Sequence, residues 1–168
     1  MRMNITTRTL VVVSALCLTV ACALPARAQG PTSGSPEANE RNAVRTLVTE
    51  FGKRVREVAV LAPKAIAAKE MDDAYSAFVA PELLAAWKAD PQRAPGKRTS
   101  SPSPERIDVS LIAADRRGGF VVTGKLILLT AQERRDGGIF QANPVVIKVA
   151  QQRGRWVITG YRETEAPP

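Results

Sequence analysis

The spacing of apolar residues changes once along this chain, and that change restricts the folds open to it. From residue 37 to 89, apolar side chains recur every three or four residues, the spacing of amphipathic helices. From residue 106 to 161 they alternate with polar ones, the spacing of strands. A run of helices followed by a run of strands predicts an α+β fold, with N-terminal helices packed on an antiparallel sheet.

Three helices are predicted in the first half. The first begins near Glu37 or Asn39, the second spans Lys64–Val79, and the third spans Glu82–Ala89. Pro63 and Pro81 separate them, because proline is tolerated at a helix start but not in a helix interior. The inward positions are predicted to be Val44, Leu47, Val48, Phe51, Val55 and Val58 in the first helix, Ile66, Met71, Tyr75 and Phe78 in the second, and Leu83, Leu84 and Trp87 in the third.

A proline- and serine-rich surface loop over residues 91–105 leads into four predicted strands. Short turns join these strands, so they form an antiparallel meander. Ile107, Val109 and Leu111 share one face of the first strand, and Gly124 is a candidate bulge in the second. Asn143-Pro144 interrupts the third, since proline cannot donate to a central ladder. The strands are Arg106–Ala113, Phe120–Ala131, Ile139–Ala150 and Arg155–Tyr161, and the turns are Asp115–Gly119, Glu133–Gly138 and Arg153–Gly154.

Met1–Ala28 has the form of a cleaved export signal. Arg2 and Arg8 precede the uncharged segment Thr9–Leu24, and Ala26-Arg27-Ala28 offers small residues before the cleavage point. The uncharged segment is shorter than the ~20 residues that a membrane-spanning helix needs. The sequence therefore predicts a protein exported to the periplasm or beyond the cell.

Both cysteines, Cys17 and Cys22, lie inside this segment. The mature chain is therefore expected to be cysteine-free, with residues 29–36 as a flexible tether, 37–163 as a single α+β domain and 164–168 as a tail. Lipidation of Cys22 is the alternative to cleavage after Ala28, although Thr19 stands where such signals favour leucine. Only with that lipid is a membrane partner expected.

The residues that are missing narrow the chemistry. The chain has no histidine, and its predicted mature part has no thiol, which excludes Ser-His-Asp and Cys-His nucleophilic sites and the usual zinc ligand sets. Its glycine pairs follow charged residues in turns and form no phosphate-binding loop. No catalytic residue, metal or cofactor is predicted. A non-enzymatic binding or interaction domain is the leading interpretation.

The closing segment Gly154-Arg155-Trp156-Val157-Ile158-Thr159-Gly160-Tyr161 is similar to the Gly-x-Trp-x-Ile ending common in the nuclear-transport-factor-2-like superfamily. The order of a long helix, two shorter helices and a terminal sheet also resembles that superfamily, whose cone-shaped fold has a curved sheet. The resemblance covers roughly residues 37–163. It implies isomerase- or dehydratase-like chemistry as the alternative function, with Tyr75, Trp87 and Asp108 as pocket candidates.

Positive charge is concentrated in the predicted sheet half. Residues 37–92 contain eight basic and nine acidic residues, whereas residues 93–162 contain thirteen basic and five acidic ones. In a meander the first and third turns lie at one end of the sheet and the second at the other. The candidate partner-binding residues are therefore Arg116, Arg117, Arg153 and Arg155 at one end, and Lys97, Arg98, Arg134 and Arg135 at the other.

These cations predict an anionic partner, which is a protein, a cell-wall polymer or a small ligand. Nucleic acid is disfavoured because no aromatic residues alternate with the arginines to stack on bases. A second hypothesis is a homodimer through the sheet. Val121, Ile127, Leu129 and Val146 have the parity to form an aliphatic patch on the face away from the helices.

Overall fold

The computed structural model describes residues 35–164, so the predicted export signal, both cysteines, most of the tether and nearly all of the tail lie outside the described residues. Four strands form one antiparallel sheet in the order β1-β2-β3-β4, and all helices but one precede it. The predicted α+β fold is confirmed. The elements are α1 Pro36–Arg54, α2 Lys64–Tyr75, α3 Pro81–Ala89, β1 Ser103–Ala114, β2 Phe120–Leu129, α4 Ala131–Asp136, β3 Gln141–Gln152 and β4 Arg155–Glu163.

Helix α1 begins earlier than predicted because Ser35 caps it. The Ser35 side chain accepts a hydrogen bond from the Ala38 amide, and Pro36 occupies the first helical turn. The predicted tether therefore ends at residue 35. Val44, Val48 and Phe51 are fully buried, as their spacing predicts. The helix ends at Arg54, so Val58 reaches the core from an extended segment beyond a short 3₁₀ turn, Val55–Glu57.

Helix α2 is shorter than predicted, and one of its inward assignments is wrong. Ile66 is 51% exposed, whereas Ala67, Met71 and Tyr75 are buried. The spacing of three or four residues runs from Ala67 rather than from Ile66. The small residue occupies the buried position in the first turn, and the larger one faces outward.

Residues 133–138, predicted to be a turn, mostly belong to the helix α4. Thr130 and Glu133 form a capping box at the start of this helix. The Thr130 hydroxyl accepts a hydrogen bond from the Gln132 amide, and the Glu133 carboxylate accepts one from the Thr130 amide. Gly137 ends it in the left-handed conformation, with φ of 84°. Thr130-x-x-Glu133 followed by glycine is a helix signal in the sequence that the charged residues obscured.

A bulge in β1 overturns the predicted alignment of its apolar residues. Val109 pairs with Gly124 and Leu111 with Thr123, which leaves Ser110 without a register partner. The face changes there, so Ile107 and Ile112 are buried and Leu111 is 58% exposed. The bulge lies opposite Gly124 rather than in it. Gly124 allows the close approach, since a Cβ there would lie 2.4 Å from the Asp108 carbonyl oxygen.

Strand β3 continues through Pro144, contrary to the predicted interruption. Pro144 pairs with Lys125 on β2, and its carbonyl accepts a hydrogen bond from the Thr164 amide on the other side. Its missing N–H therefore faces Thr164, just beyond the last residue of β4. No ladder bond within the sheet is lost, which is the condition under which a strand tolerates proline.

Helices and sheet share one hydrophobic core. Helix α1 lies directly on β1, where Arg41 donates to the Ile112 carbonyl and its guanidinium sits 5.7 Å from the centre of the Phe120 ring. Further along, Gly52 faces Ile107 so closely that a Cβ on Gly52 would be 2.6 Å from the Ile107 amide nitrogen.

No helix among residues 35–164 is long and apolar enough to cross a membrane.

We expect Gly52→Ala to destabilise the fold although alanine is the better helix former. Helix propensity alone would add about 1 kcal/mol to the free energy of unfolding. The new methyl group would instead push α1 away from β1, and such overpacking costs about 1–3 kcal/mol. Urea unfolding followed by circular dichroism measures the change. Ala43→Gly on the exposed face of α1 is the control, with an expected loss of about 1 kcal/mol. A more stable Gly52→Ala protein would contradict the close contact.

Candidate functional site

The three pocket candidates are not brought together. Tyr75 is fully buried and donates its hydroxyl to the Pro95 carbonyl at 2.7 Å. Trp87 is buried beside it, with 5.8 Å between the ring centres. Asp108 is exposed on the opposite face of the sheet and bonds to Arg106 at 2.8 Å. The aromatic candidates are therefore core residues, and the carboxylate lies away from them.

Aromatic side chains fill the space between the helices and the sheet. The Phe51 ring lies 5.1 Å from that of Tyr75 and 6.4 Å from that of Trp87, measured between centres. Tyr161 reaches the same cluster from β4, 6.3 Å from Trp87. Offset and edge-to-face packing of this kind adds to the stability that burial provides. These four rings therefore occupy the interior between the helices and the sheet, and a partner would have to bind on the surface.

The first and third turns of the meander lie at one end of the sheet, as predicted. Gly119 approaches the far end of β3 so closely that a Cβ there would be 2.3 Å from the Val149 carbonyl oxygen. The turn Arg153-Gly154 follows four residues later. Four exposed arginines thus project from this end, and we call them the turn cluster: Arg116, Arg117, Arg153 and Arg155.

At the opposite end, Arg134 and Arg98 are engaged by a carboxylate and a carbonyl, whereas Arg135 is exposed and Lys97 half-buried, and neither forms an ion pair within residues 35–164. Arg134 pairs with Glu105 at 2.8 Å, and Glu105 also pairs with Arg56 at 3.2 Å. Arg98 donates to the Gln92 carbonyl at 2.9 Å. By contrast, no side chain of the turn cluster forms an ion pair with any residue in the range 35–164. A count of basic residues along the sequence could not show which arginines are paired, because the Glu105 ion pairs join residues that are distant in sequence.

Arg153 has an unusual backbone conformation. Its φ is 49° and that of Gly154 is 77°, so both central residues of the two-residue hairpin are left-handed. Asparagine or glycine is strongly preferred at such positions, and other L-residues are strained there by about 1–2 kcal/mol. Arg153 and Arg155 also line a surface cavity of about 570 Å³ that includes Ser76 and Glu82 beside the start of α3.

Sequence analysis missed a second polar site, along the C-terminal half of β4. The Tyr161 hydroxyl donates to a Glu163 carboxylate oxygen at 3.0 Å, and the Asn143 amide lies 3.5 Å from the other oxygen. Two adjoining surface cavities, of about 410 and 320 Å³, share Tyr161 and Arg162. We call this continuous feature the β4 groove. Its signal in the sequence was the i, i+2 spacing of Tyr161 and Glu163.

The predicted aliphatic patch on the outer sheet face is only partly present. Ile127 and Leu129 are buried beside α4, whereas Val121 and Val146 are half-buried. The exposed Lys125, Lys148 and Arg162 surround what remains, and Asp108 across from Lys125 is engaged by Arg106. Two copies packed through this face would bring like charges together. The homodimer therefore remains a prediction that this charge distribution disfavours.

Both tyrosines have a raised pKa. Burial raises the pKa of Tyr75 far above its ordinary value, and the carboxylates of Glu57 and Glu70 add to the effect. Burial also raises the pKa of Tyr161, together with the charge of Glu163 and the hydrogen bond to it. Both hydroxyls are therefore neutral donors at neutral pH.

Within residues 35–164, no cluster of three or more acidic, histidine or cysteine side chains is placed to hold a metal ion.

The fold and site together define an α+β domain whose N-terminal helices cover one face of a four-stranded antiparallel sheet, with uncompensated arginines at one end. No family model, curated protein or solved structure matches this chain. The resemblance to the nuclear-transport-factor-2-like superfamily consequently stays a prediction.

The raised tyrosine pKa values predict a loss of stability in alkali. Below pH about 10 both hydroxyls are protonated in the folded and unfolded chain, and their contribution is constant. Above that pH the unfolded chain releases protons that the folded chain retains, so the free energy of unfolding falls as pH rises. The chain has only two tyrosines, so tyrosinate absorbance reports on them alone. We expect titration near pH 10 in urea but not in the folded protein, and Tyr161→Phe isolates the signal of Tyr75. A folded protein that titrates at the ordinary pH would contradict the burial of both hydroxyls.

Proposed function

We propose that this chain is an exported, non-enzymatic binding domain that holds an anionic partner on the turn cluster. The observation that carries the proposal is a group of four exposed arginines at one end of the sheet, none of which forms an ion pair within residues 35–164. Arg134 and Arg106 are neutralised by Glu105 and Asp108, whereas Arg116, Arg117, Arg153 and Arg155 are exposed and unpaired among residues 35–164. Clustered charges of one sign raise the local concentration of oppositely charged ligands.

The backbone at Arg153 supports the same proposal. An arginine with positive φ lowers stability where asparagine or glycine would fit without strain. Strained residues are most often found where they serve a function. Arg153 also borders the cavity that contains Arg155, so its charge is added to a concave surface.

The proposed partner is an anionic polymer or an acidic protein rather than nucleic acid. Stacking on bases needs exposed aromatic rings beside the cations. Trp156, next to Arg155 in sequence, instead packs on Phe120 with 5.2 Å between the ring centres. The turn cluster therefore provides charge and hydrogen-bond donors without a stacking surface. Such binding is electrostatic and is expected to weaken steeply as salt is added.

Immobilised dextran sulfate tests the proposal. The double variant Arg116→Gln/Arg117→Gln should bind about tenfold more weakly at low salt, since each lost contact contributes on the order of 0.5–1 kcal/mol. The control is Arg106→Gln/Arg134→Gln, which removes the same net charge at already paired positions and should bind nearly as the parent does. Surface plasmon resonance over a range of salt concentrations measures both.

Three outcomes would count against the turn cluster. If both double variants weaken equally, binding follows net charge alone and the cluster has no special role. If the unaltered chain does not bind dextran sulfate at low salt, the proposed function is wrong. A salt-independent affinity would likewise exclude an electrostatic partner site.

Arg153→Asn should separate stability from binding. Asparagine adopts the left-handed conformation readily, so thermal unfolding should require about 1 kcal/mol more free energy. The same change removes a cation and should weaken dextran sulfate binding. Arg155→Gln removes an equal charge without the backbone effect, so it should weaken binding and leave stability unchanged. An Arg153→Asn protein with unaltered stability would show that the turn is not strained.

A further inference from the structure

Strand β4 lies at an edge of the sheet, and half of this edge is already paired. The Ile158 amide donates to the Phe78 carbonyl at 2.8 Å, and the Ala80 amide donates to the Ile158 carbonyl at 2.9 Å. The segment before α3 thus forms a short parallel bridge with the N-terminal half of β4. This edge is therefore geometrically able to take a strand partner.

The backbone of the C-terminal half of β4 offers a second set of pairing groups. Thr164 bonds to Pro144 across the β3–β4 ladder, so Arg162 and Gly160, at even spacing from it, also face β3. Tyr161 and Glu163 consequently direct their N–H and C=O groups away from the sheet. Outside the β3–β4 ladder, no backbone hydrogen bond joins these groups to a residue of the described range. An open edge of this kind is a template for another chain.

The β4 groove runs along this open edge, and its lining contains four cations and one acidic residue. The side of the groove opposite β4 contains Arg93 and Arg98, from the segment after α3. The Arg98 side chain donates a hydrogen bond to the Gln92 carbonyl. Arg162 lies between the two cavities, and Lys148 lines the one on the outer sheet face. Glu163 is the acidic residue in the lining, and its carboxylate is occupied by Tyr161 and Asn143.

We propose that the β4 groove binds an extended acidic peptide, which adds as a strand to the C-terminal half of β4. The Tyr161 and Glu163 backbone groups would pair with the peptide backbone, as in other cases of strand addition. The peptide's carboxylates would meet Arg93, Arg98 and Arg162. The site is at the opposite end of β4 from the turn cluster, so it goes beyond the proposed function.

Two other occupants fit less well. An anionic polysaccharide would satisfy the cations but has no backbone amides and carbonyls to match the open edge. A second copy of this chain, paired β4 to β4, would place Arg93, Arg98 and Arg162 of both copies near one another. Like charges brought together at an interface oppose association. An acidic peptide satisfies both the edge and the charge.

Fluorescence anisotropy with two labelled peptides tests the backbone part of the proposal. The first is capped hexaglutamate, and the second is the same peptide N-methylated at every residue, which keeps the charge and removes the N–H donors. We expect hexaglutamate to bind at least about tenfold more tightly, because several backbone hydrogen bonds are lost in the second peptide. Equal binding of both peptides, or no binding of hexaglutamate at low salt, would overturn the proposal.

Substitutions in the groove locate the site. Arg93→Gln/Arg162→Gln should weaken hexaglutamate binding severalfold, whereas Arg116→Gln/Arg117→Gln in the turn cluster should leave it nearly unchanged. The reverse ranking would assign the peptide to the turn cluster and overturn the groove. Dextran sulfate binding is expected to show the opposite dependence on these variants, so failure of one proposal is distinguishable from failure of the other.

A proline substitution on the edge gives a sharper comparison. Glu163→Pro removes an outward N–H without breaking the ladder to β3, so the fold should tolerate it. Glu163→Ala removes the same carboxylate and keeps the N–H. We expect the alanine variant to bind hexaglutamate at least as well as the parent and the proline variant to bind severalfold less. If both fold by circular dichroism and bind equally, strand addition at this edge is wrong.

Discussion

The close contact between α1 and β1 sets the geometry on which the rest of this protein depends. Gly52 lets the helix axis approach Ile107, and Arg41 ties the other end of the helix to the Ile112 carbonyl. The resulting gap between helices and sheet is wide enough for Phe51, Tyr75 and Trp87 in contact with one another. Interiors are packed to the density of organic crystals. The helices therefore bury one face of the sheet. The ends, the open edge and the outer face of the sheet remain accessible to partners.

Ion pairing, rather than the number of basic residues, distinguishes the ends of the sheet. Glu105 alone engages two arginines, Arg56 from the 3₁₀ turn after α1 and Arg134 from α4. No acidic side chain among the described residues forms an ion pair with the turn cluster. Exposed ion pairs add little to stability, but they do cancel charge locally. Ion pairing thus cancels part of the positive charge at the end that contains Arg134 and none of it at the turn cluster.

Sequence patterns predicted the elements well where the apolar period was long and uninterrupted, as in α1 and β2. They failed where one residue changed the local geometry. Ser110 bulges out of β1 and reverses the side of Leu111, a shift that depends on the register with β2. Residues 131–136 are helical because the Thr130–Glu133 capping box outweighs their turn-like composition. The β4 groove was missed because Arg93, Arg98 and Arg162 come together only when the segment after α3 lies beside β4.

The sequence by itself determined the order of helices and strands, the meander, and the gathering of basic residues in the sheet half. These follow from local periodicity and from turn residues, which act over a few neighbouring positions. Only the tertiary structure decided which arginines stay unpaired, which edge of the sheet is open and that Asp108 lies apart from Tyr75 and Trp87. Each of these depends on contacts between residues far apart in the chain, such as Arg134 with Glu105 and Ile158 with Phe78. Long-range contacts are selected by how the whole core packs, and no short stretch of sequence contains that information.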